Sequence, residues 1–119
     1  QKLLKENPKA VAGLVRAINR AIKDVIADPE MGVKTLAKIE PLINQDVEKK
    51  RIAYALGNLM NGAEFTELGF GDLTDDKLTR SIDVIAEAYD LKAKPKASEV
   101  FNRSFLPAKS DRMFAPKPN

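Results

Sequence analysis

Apolar side chains recur at three- and four-residue spacing along the first quarter of the chain, at Val11, Leu14, Val15, Ile18, Ile22, Val25 and Ile26. That period places them on one stripe of an amphipathic helix. Arg16, Asn19, Arg20, Lys23 and Asp24 fall mostly off the stripe. Asn7-Pro8 supplies a capping side chain and a proline at the first helical position, where its missing N–H is no loss. Asp28-Pro29 repeats the device: it opens the next helix and ends the first, because a residue before proline avoids the α region. The pattern predicts a helix from Pro8 to Ala27, about 30 Å long. Fully burying each large apolar side chain stabilises by roughly 1.5–3 kcal/mol before entropy is subtracted, so the stripe needs a large surface to lie on.

The same reading gives three further main helices. The second follows Asp28, with Met31, Leu36 and Ile39 on its buried side, and Pro41 breaks it. Gly32 within it weakens it by about 1 kcal/mol relative to Ala. The third runs from about Asn44 to Asn61, with Ile52, Ala53, Leu56, Leu59 and Met60 as its stripe. Gly57 on that helix marks either a close backbone approach or a tolerated defect. From Gly62 to Leu73 there is no clear period, which reads as a loop with an extended piece at Glu64 to Leu68. Thr74 caps the fourth helix, whose face is Leu78, Ile82, Ile85, Ala86 and Tyr89, with Asp75 and Asp76 at its positive end. Lys2 to Glu6 reads as a helical turn or a linker into Asn7. After the basic linker Lys92 to Ala97, Ser98 is expected to cap a short turn that leads to Phe105-Leu106-Pro107. The fold class is therefore mostly α, four main helices plus a short C-terminal turn. Residues 1–107 form the helical portion and 108–119 a basic, Pro-rich, mobile tail.

Composition narrows the function classes. Hydrophobic residues at 44% and charged residues at 31% are those of an ordinary folded protein rather than a disordered one. No apolar run approaches the ~18 residues of a membrane span. Gln1-Lys2-Leu3-Leu4 is neither an initiator Met nor a basic stretch before an apolar core, so no signal peptide is read. The chain is expected to begin inside something longer, by maturation, cloning or proteolysis. Cys and His are both absent, which removes thiolate chemistry, the commonest general base and the commonest metal ligand. These absences point away from an enzyme: no catalytic residue, metal ligand or cofactor site is assigned, and the ligand-binding residues stay unknown.

The net charge of +3 conceals an uneven distribution. Residues 1–60 carry 11 Lys/Arg against 7 Asp/Glu, residues 61–91 carry 2 against 8, and residues 92–119 carry 7 against 2. An acidic segment before a basic one can neutralise itself, so nucleic acid is not expected as a partner. Glu64, Glu67, Asp72, Asp75 and Asp76 lack the alternate spacing of a calcium loop. Leu68-Gly69-Phe70-Gly71 lacks the third glycine and the Lys-Ser/Thr pair of a phosphate loop, and reads as a turn into the fourth helix. Phe65 and Phe70 read as a plug over the adjacent core. Lys92, Lys94 and Lys96 read as a solvated linker, and Arg16, Arg20 and Lys23 as a solvated face. Ser81, Ser98, Ser104 and Ser110 have no His to activate them.

Three stretches, KENPKAVAGLVRAINRAIKDVIADPE, LGFGDLTDDKLTRSIDVIAEAYDL and SEVFNRSFLP, in this order and spacing resemble the C-terminal part of solute-binding proteins of bacterial ABC importers. The nearest group is the nitrate/sulfonate/taurine and thiamine-pyrimidine-precursor type, the NMT1/THI5-like family, and the resemblance runs from about Leu3 to Pro107. It implies the helical C-terminal portion of a two-lobe α/β periplasmic-binding-protein fold of type II, with the strands and most of the ligand cleft upstream. It further implies a periplasmic or extracytoplasmic location, with a small-molecule solute and an ABC permease as partners. A self-contained helical interaction module is the alternative, and non-native self-association of the chain is a further expectation for the uncovered stripe.

Overall fold

The computed structural model describes residues 2–60 and 62–114. These residues are mostly helical, with no strand among them. In order come α1 (Lys2–Glu6), α2 (Pro8–Ala27), α3 (Pro29–Ile39) and α4 (Gln45–Tyr54), the last continued by a π-helical turn, Ala55–Leu59. After these follow α5 (Ala63–Leu68), α6 (Asp75–Ala88), α7 (Ala97–Val100), a 3₁₀ turn (Arg103–Phe105) and α8 (Lys109–Arg112).

The caps read from the sequence set the helix boundaries. Asn7 Oδ1 accepts the Ala10 N–H at 3.0 Å, with Pro8 in the first turn. Asp28 serves two helices: its N–H donates to the Asp24 carbonyl at 2.9 Å, and its Oδ1 accepts the Met31 N–H at 3.1 Å. Asn44 Oδ1 accepts from Asp46 and Val47, and Thr74 Oγ1 accepts from Lys77. These caps satisfy N–H groups that a helix start leaves orphaned.

Two centres of packing result. In the first, α3 lies against both α2 and α4, and Val33 is fully buried there. A Cβ on Gly32 would stand 3.1 Å from Val25 Cγ2 and 3.6 Å from Ile52 Cδ1, so the missing side chain is what lets the three helices meet. In the second, α6 buries Leu78 and Ile82 and packs on α7. The 3₁₀ turn packs on α2 and so links the two centres. The radius of gyration is 16.9 Å, against about 13.5 Å for a compact domain of this length. Accessible surface is 9024 Å², against about 6,400 Å² for a compact monomer of this size. The helices leave much of their apolar surface uncovered.

Several expectations need correcting. Glu64 to Leu68 is not extended but lies in α5, with Gly69 N–H closing it on the Phe65 carbonyl. On α3 the buried residue is Val33, while Leu36 is partly exposed and Ile39 largely so, because α3 is clasped on two sides at its first turns and free at its end. The third helix changes pitch at Ala55, where Met60 N–H reaches back to the Ala55 carbonyl at 3.1 Å. The extra residue in that turn rotates the stripe, so Ala55 joins Ile52, Leu56 and Met60 facing α2, while Ala53 and Leu59, also expected on the stripe, are exposed. Asn61, the expected end of that helix, lies outside the described residues.

The face of α6 is only half used, since Ile85 and Tyr89 remain exposed. Ser98 is not the cap of α7. That helix begins at Ala97, and Glu99 Oε2 accepts the Lys96 N–H at 2.7 Å. The segment expected to be loose from Ala108 is folded in its first part, as α8, and Arg112 on it is buried. Residues 115–119 lie outside the described residues.

Candidate functional site

The densest polar constellation is built on Arg112. Its Nε donates to the Pro107 carbonyl at 3.0 Å, and its Nη1 donates to the carbonyls of Leu68 (3.0 Å) and Phe70 (3.2 Å). In return the Phe70 N–H donates to the Arg112 carbonyl at 2.9 Å. Arg112 Nη2 lies 3.5 Å from Asp72 Oδ2, while Arg103 Nε donates to Asp72 Oδ1 at 2.8 Å. Arg103 also reaches Asp75 Oδ1 at 2.8 Å and the Leu73 carbonyl at 2.6 Å. Burial works to raise the Asp72 carboxyl, but the Arg103 hydrogen bond, the Leu73 N–H and the charges of Arg103 and Arg112 outweigh it. The group is held below its ordinary carboxylate range.

Gly69 and Gly71 make the approach possible. Both have positive φ (81° and 80°), and a Cβ on Gly69 would stand 3.1 Å from the Arg112 carbonyl oxygen. Beside them Phe65, Phe70 and Phe114 form a three-ring cluster with centroids 5.6 to 6.0 Å apart, two of the contacts edge-on.

This arrangement is a clamp built from already-paired charges. Every acidic residue of the calcium alternative whose contacts are given is engaged by a cation: Glu64 by Lys77, Asp72 and Asp75 by Arg103, Asp76 by Arg80. Glu64 is held below its ordinary value, first by its hydrogen bond from Lys77 and then by Thr74, against the opposing effect of burial. No group of acidic residues among the described ones could hold a metal ion. The Gly69–Gly71 segment cradles Arg112 rather than a phosphate. Of the linker lysines, Lys94 pairs with Asp83, so the linker is fastened to α6 rather than wholly solvated.

Two of the open features among the described residues lie along α2. One is a groove of about 300 Å³ between α2 and the α4–π segment, lined only by Ile18, Ala21, Ile22, Val25, Ile52, Ala55, Leu56 and Met60. Leu14 continues its α2 wall and is 58% exposed, and Ile18 is 47% exposed. The other is a smaller cleft where Pro107 and Asp111 close over the basic face of α2. No helix among the described residues is long and apolar enough to cross a membrane.

Sequence reasoning located the groove's α2 wall through its period and missed the clamp altogether. Arg112 lies in a basic, Pro-containing stretch that looked unstructured, and only Met113 and Phe114 beside it hinted at an anchor.

No protein-family model, curated protein or solved structure matches the chain.

Proposed function

We propose that this chain is the C-terminal helical portion of the substrate-binding component of a bacterial ABC importer. In that role it is scaffold and docking surface, while solute capture rests mainly on residues upstream and delivery on the permease. The observation that carries the reading is the ordered set of three stretches, from the Asn7 cap through Leu68–Leu91 to Ser98–Pro107. The open apolar groove supports it, since a monomer rarely leaves so continuous an apolar surface uncovered. In the proposed two-lobe α/β protein the groove faces the rest of its own lobe, and the site of action is periplasmic or extracytoplasmic.

A self-contained helical module is less well supported, because a bundle requires its apolar faces to bury one another and Leu14 and Ile18 do not. Reading the gene upstream of Gln1 tests the proposal. The expected outcome is a signal peptide and about 200 residues of alternating β and α pattern. A reading frame that starts at or near Gln1 overturns it. Binding of a fluorescent apolar dye gives a second check. The chain alone is expected to bind the dye strongly and the full-length parent weakly, and equal binding by both counts against the reading.

A further inference from the structure

Arg16, Arg20 and Lys23 lie at i, i+4 and i+7 on α2, so all three side chains leave the helix on one side. None of them has an ion pair among the described residues. In contrast, the other four arginines, Arg51, Arg80, Arg103 and Arg112, are each placed against a carboxylate. All three are exposed, as expected of a solvated face, yet they stand on a concave surface. With Asn19, Pro107 and Asp111 they line a cleft of about 230 Å³, closed on its far side by the segment that the Arg112 clamp holds in place. Lys23 Nζ is also held 5.9 Å from the Phe114 ring centroid, which keeps it at the cleft.

Asn19 and Asp111 line this cleft beside the three cations. Asn19 is 5% exposed, and its Nδ2 donates to the Val15 carbonyl at 3.0 Å. That bond fixes the amide orientation and leaves Oδ1 buried with no donor. Asp111 is the cleft's only carboxylate, and none of the ion pairs among the described residues uses it.

We propose that this cleft binds a phosphate group that carries one proton. Two guanidinium forks and an ammonium match a doubly charged oxyanion, the chemistry for which arginine pairs are suited. Asp111 accepts the hydrogen bond of the phosphate O–H and repels an oxyanion that has no proton to give. Inorganic phosphate offers that proton as its dianion, and a phosphate monoester or a monoester lipid headgroup offers it as the singly protonated monoanion, so the three share the P–O–H group. The site rests on the cleft alone, independent of the transport reading.

Isothermal titration of the 119-residue chain at pH 7 and constant ionic strength tests it, with inorganic phosphate and sulfate as probes. Phosphate is expected to bind at least about tenfold tighter than sulfate, the size of one hydrogen bond to a charged group. Asp111→Asn is expected to remove that preference by admitting sulfate, and Arg16→Gln with Arg20→Gln to weaken phosphate binding by about tenfold or more, with an unchanged far-ultraviolet spectrum. Vesicles separate the sources. Retention on phosphatidate vesicles that inorganic phosphate reverses assigns the site to a lipid monoester, and phosphate binding without retention assigns it to a soluble one. The proposal is overturned by equal affinity for phosphate and sulfate, by no heat at about 10 mM phosphate, or by equal retention on phosphatidylglycerol, a diester with no proton to offer.

Discussion

From α1 to α4 the chain is held mainly by apolar contact around one buried residue, Val33; from α5 to α8 it is held as much by charge, through Arg112, Asp72 and Arg103. The first arrangement is tolerant. Apolar contact has no direction, so α2 and α4 can approach α3 and still leave a groove between themselves. The second is not. A guanidinium that donates to three named carbonyls fixes the α5–α6 turn, the segment at Pro107 and α8 in one relation, and each bond fails if any of them moves. Two halves of one small chain thus differ in how much a single residue can do.

The sharpest way to break the contrast is Arg112→Met, which keeps the bulk and removes the bonds. It strands the carbonyls of Leu68, Phe70 and Pro107 and one charge partner of Asp72, and is expected to destabilise by about 3–5 kcal/mol in urea unfolding. The loss should fall on the C-terminal half, with amide protection of α2–α4 retained. A uniform loss across both halves would show that the two centres fold as one unit.

Gly69→Ala attacks the same clamp from the other side. Gly69 has φ 81° and ψ 166°, a region essentially reserved for glycine, and an added Cβ meets the Arg112 carbonyl at 3.1 Å. Strain of about 1–3 kcal/mol is expected, below that of Arg112→Met because the hydrogen bonds can stretch rather than vanish. Thermal unfolding measures it.

A smaller effect comes from pH. The folded-state pKa of Asp72 lies below its unfolded value, so its contribution is fully present above the unfolded value, about 3.9. It is lost as pH falls through the lower, folded value. Asp72→Asn is therefore expected to lower stability at pH 7 and to leave a shallower fall between pH 5 and pH 2 than the parent chain shows. Parallel pH profiles for the two would remove Asp72 from the clamp.

How legible each half was in the sequence follows from the same contrast. The caps Asn7, Asp28, Asn44 and Thr74 and the stripe of α2 were readable because helix starts and helical period are local signals, set by residues a few positions apart. The groove wall on α4 was only half readable, because the π turn at Ala55–Leu59 inserts a phase shift that no single residue announces. The clamp was not readable. Arg112 finds its carbonyl partners 42 and 44 residues away, and a backbone carbonyl leaves no mark in a sequence. Asn19 shows the same limit on α2 itself. It sits off the apolar stripe, yet it is the one residue of that helix to be buried.

The smallest effect separates two glycines that look alike in sequence. Gly13 and Gly32 both lie inside helices, where replacement by Ala should stabilise by roughly 0.5–1 kcal/mol through backbone entropy alone. At Gly13 the new methyl meets only the end of the Arg16 side chain at 3.8 Å, so the full gain is expected as a raised Tm. At Gly32 it meets Val25 at 3.1 Å, and Val25 belongs to the wall of the groove. The helix gain there is offset by pushing α3 away from α2, and no rise in Tm is expected. If Gly32→Ala stabilises as much as Gly13→Ala, the apolar half has slack even at its tightest contact. Its tolerance then extends from the groove to the residues around Val33, and the charged clamp is the one rigid joint in the molecule.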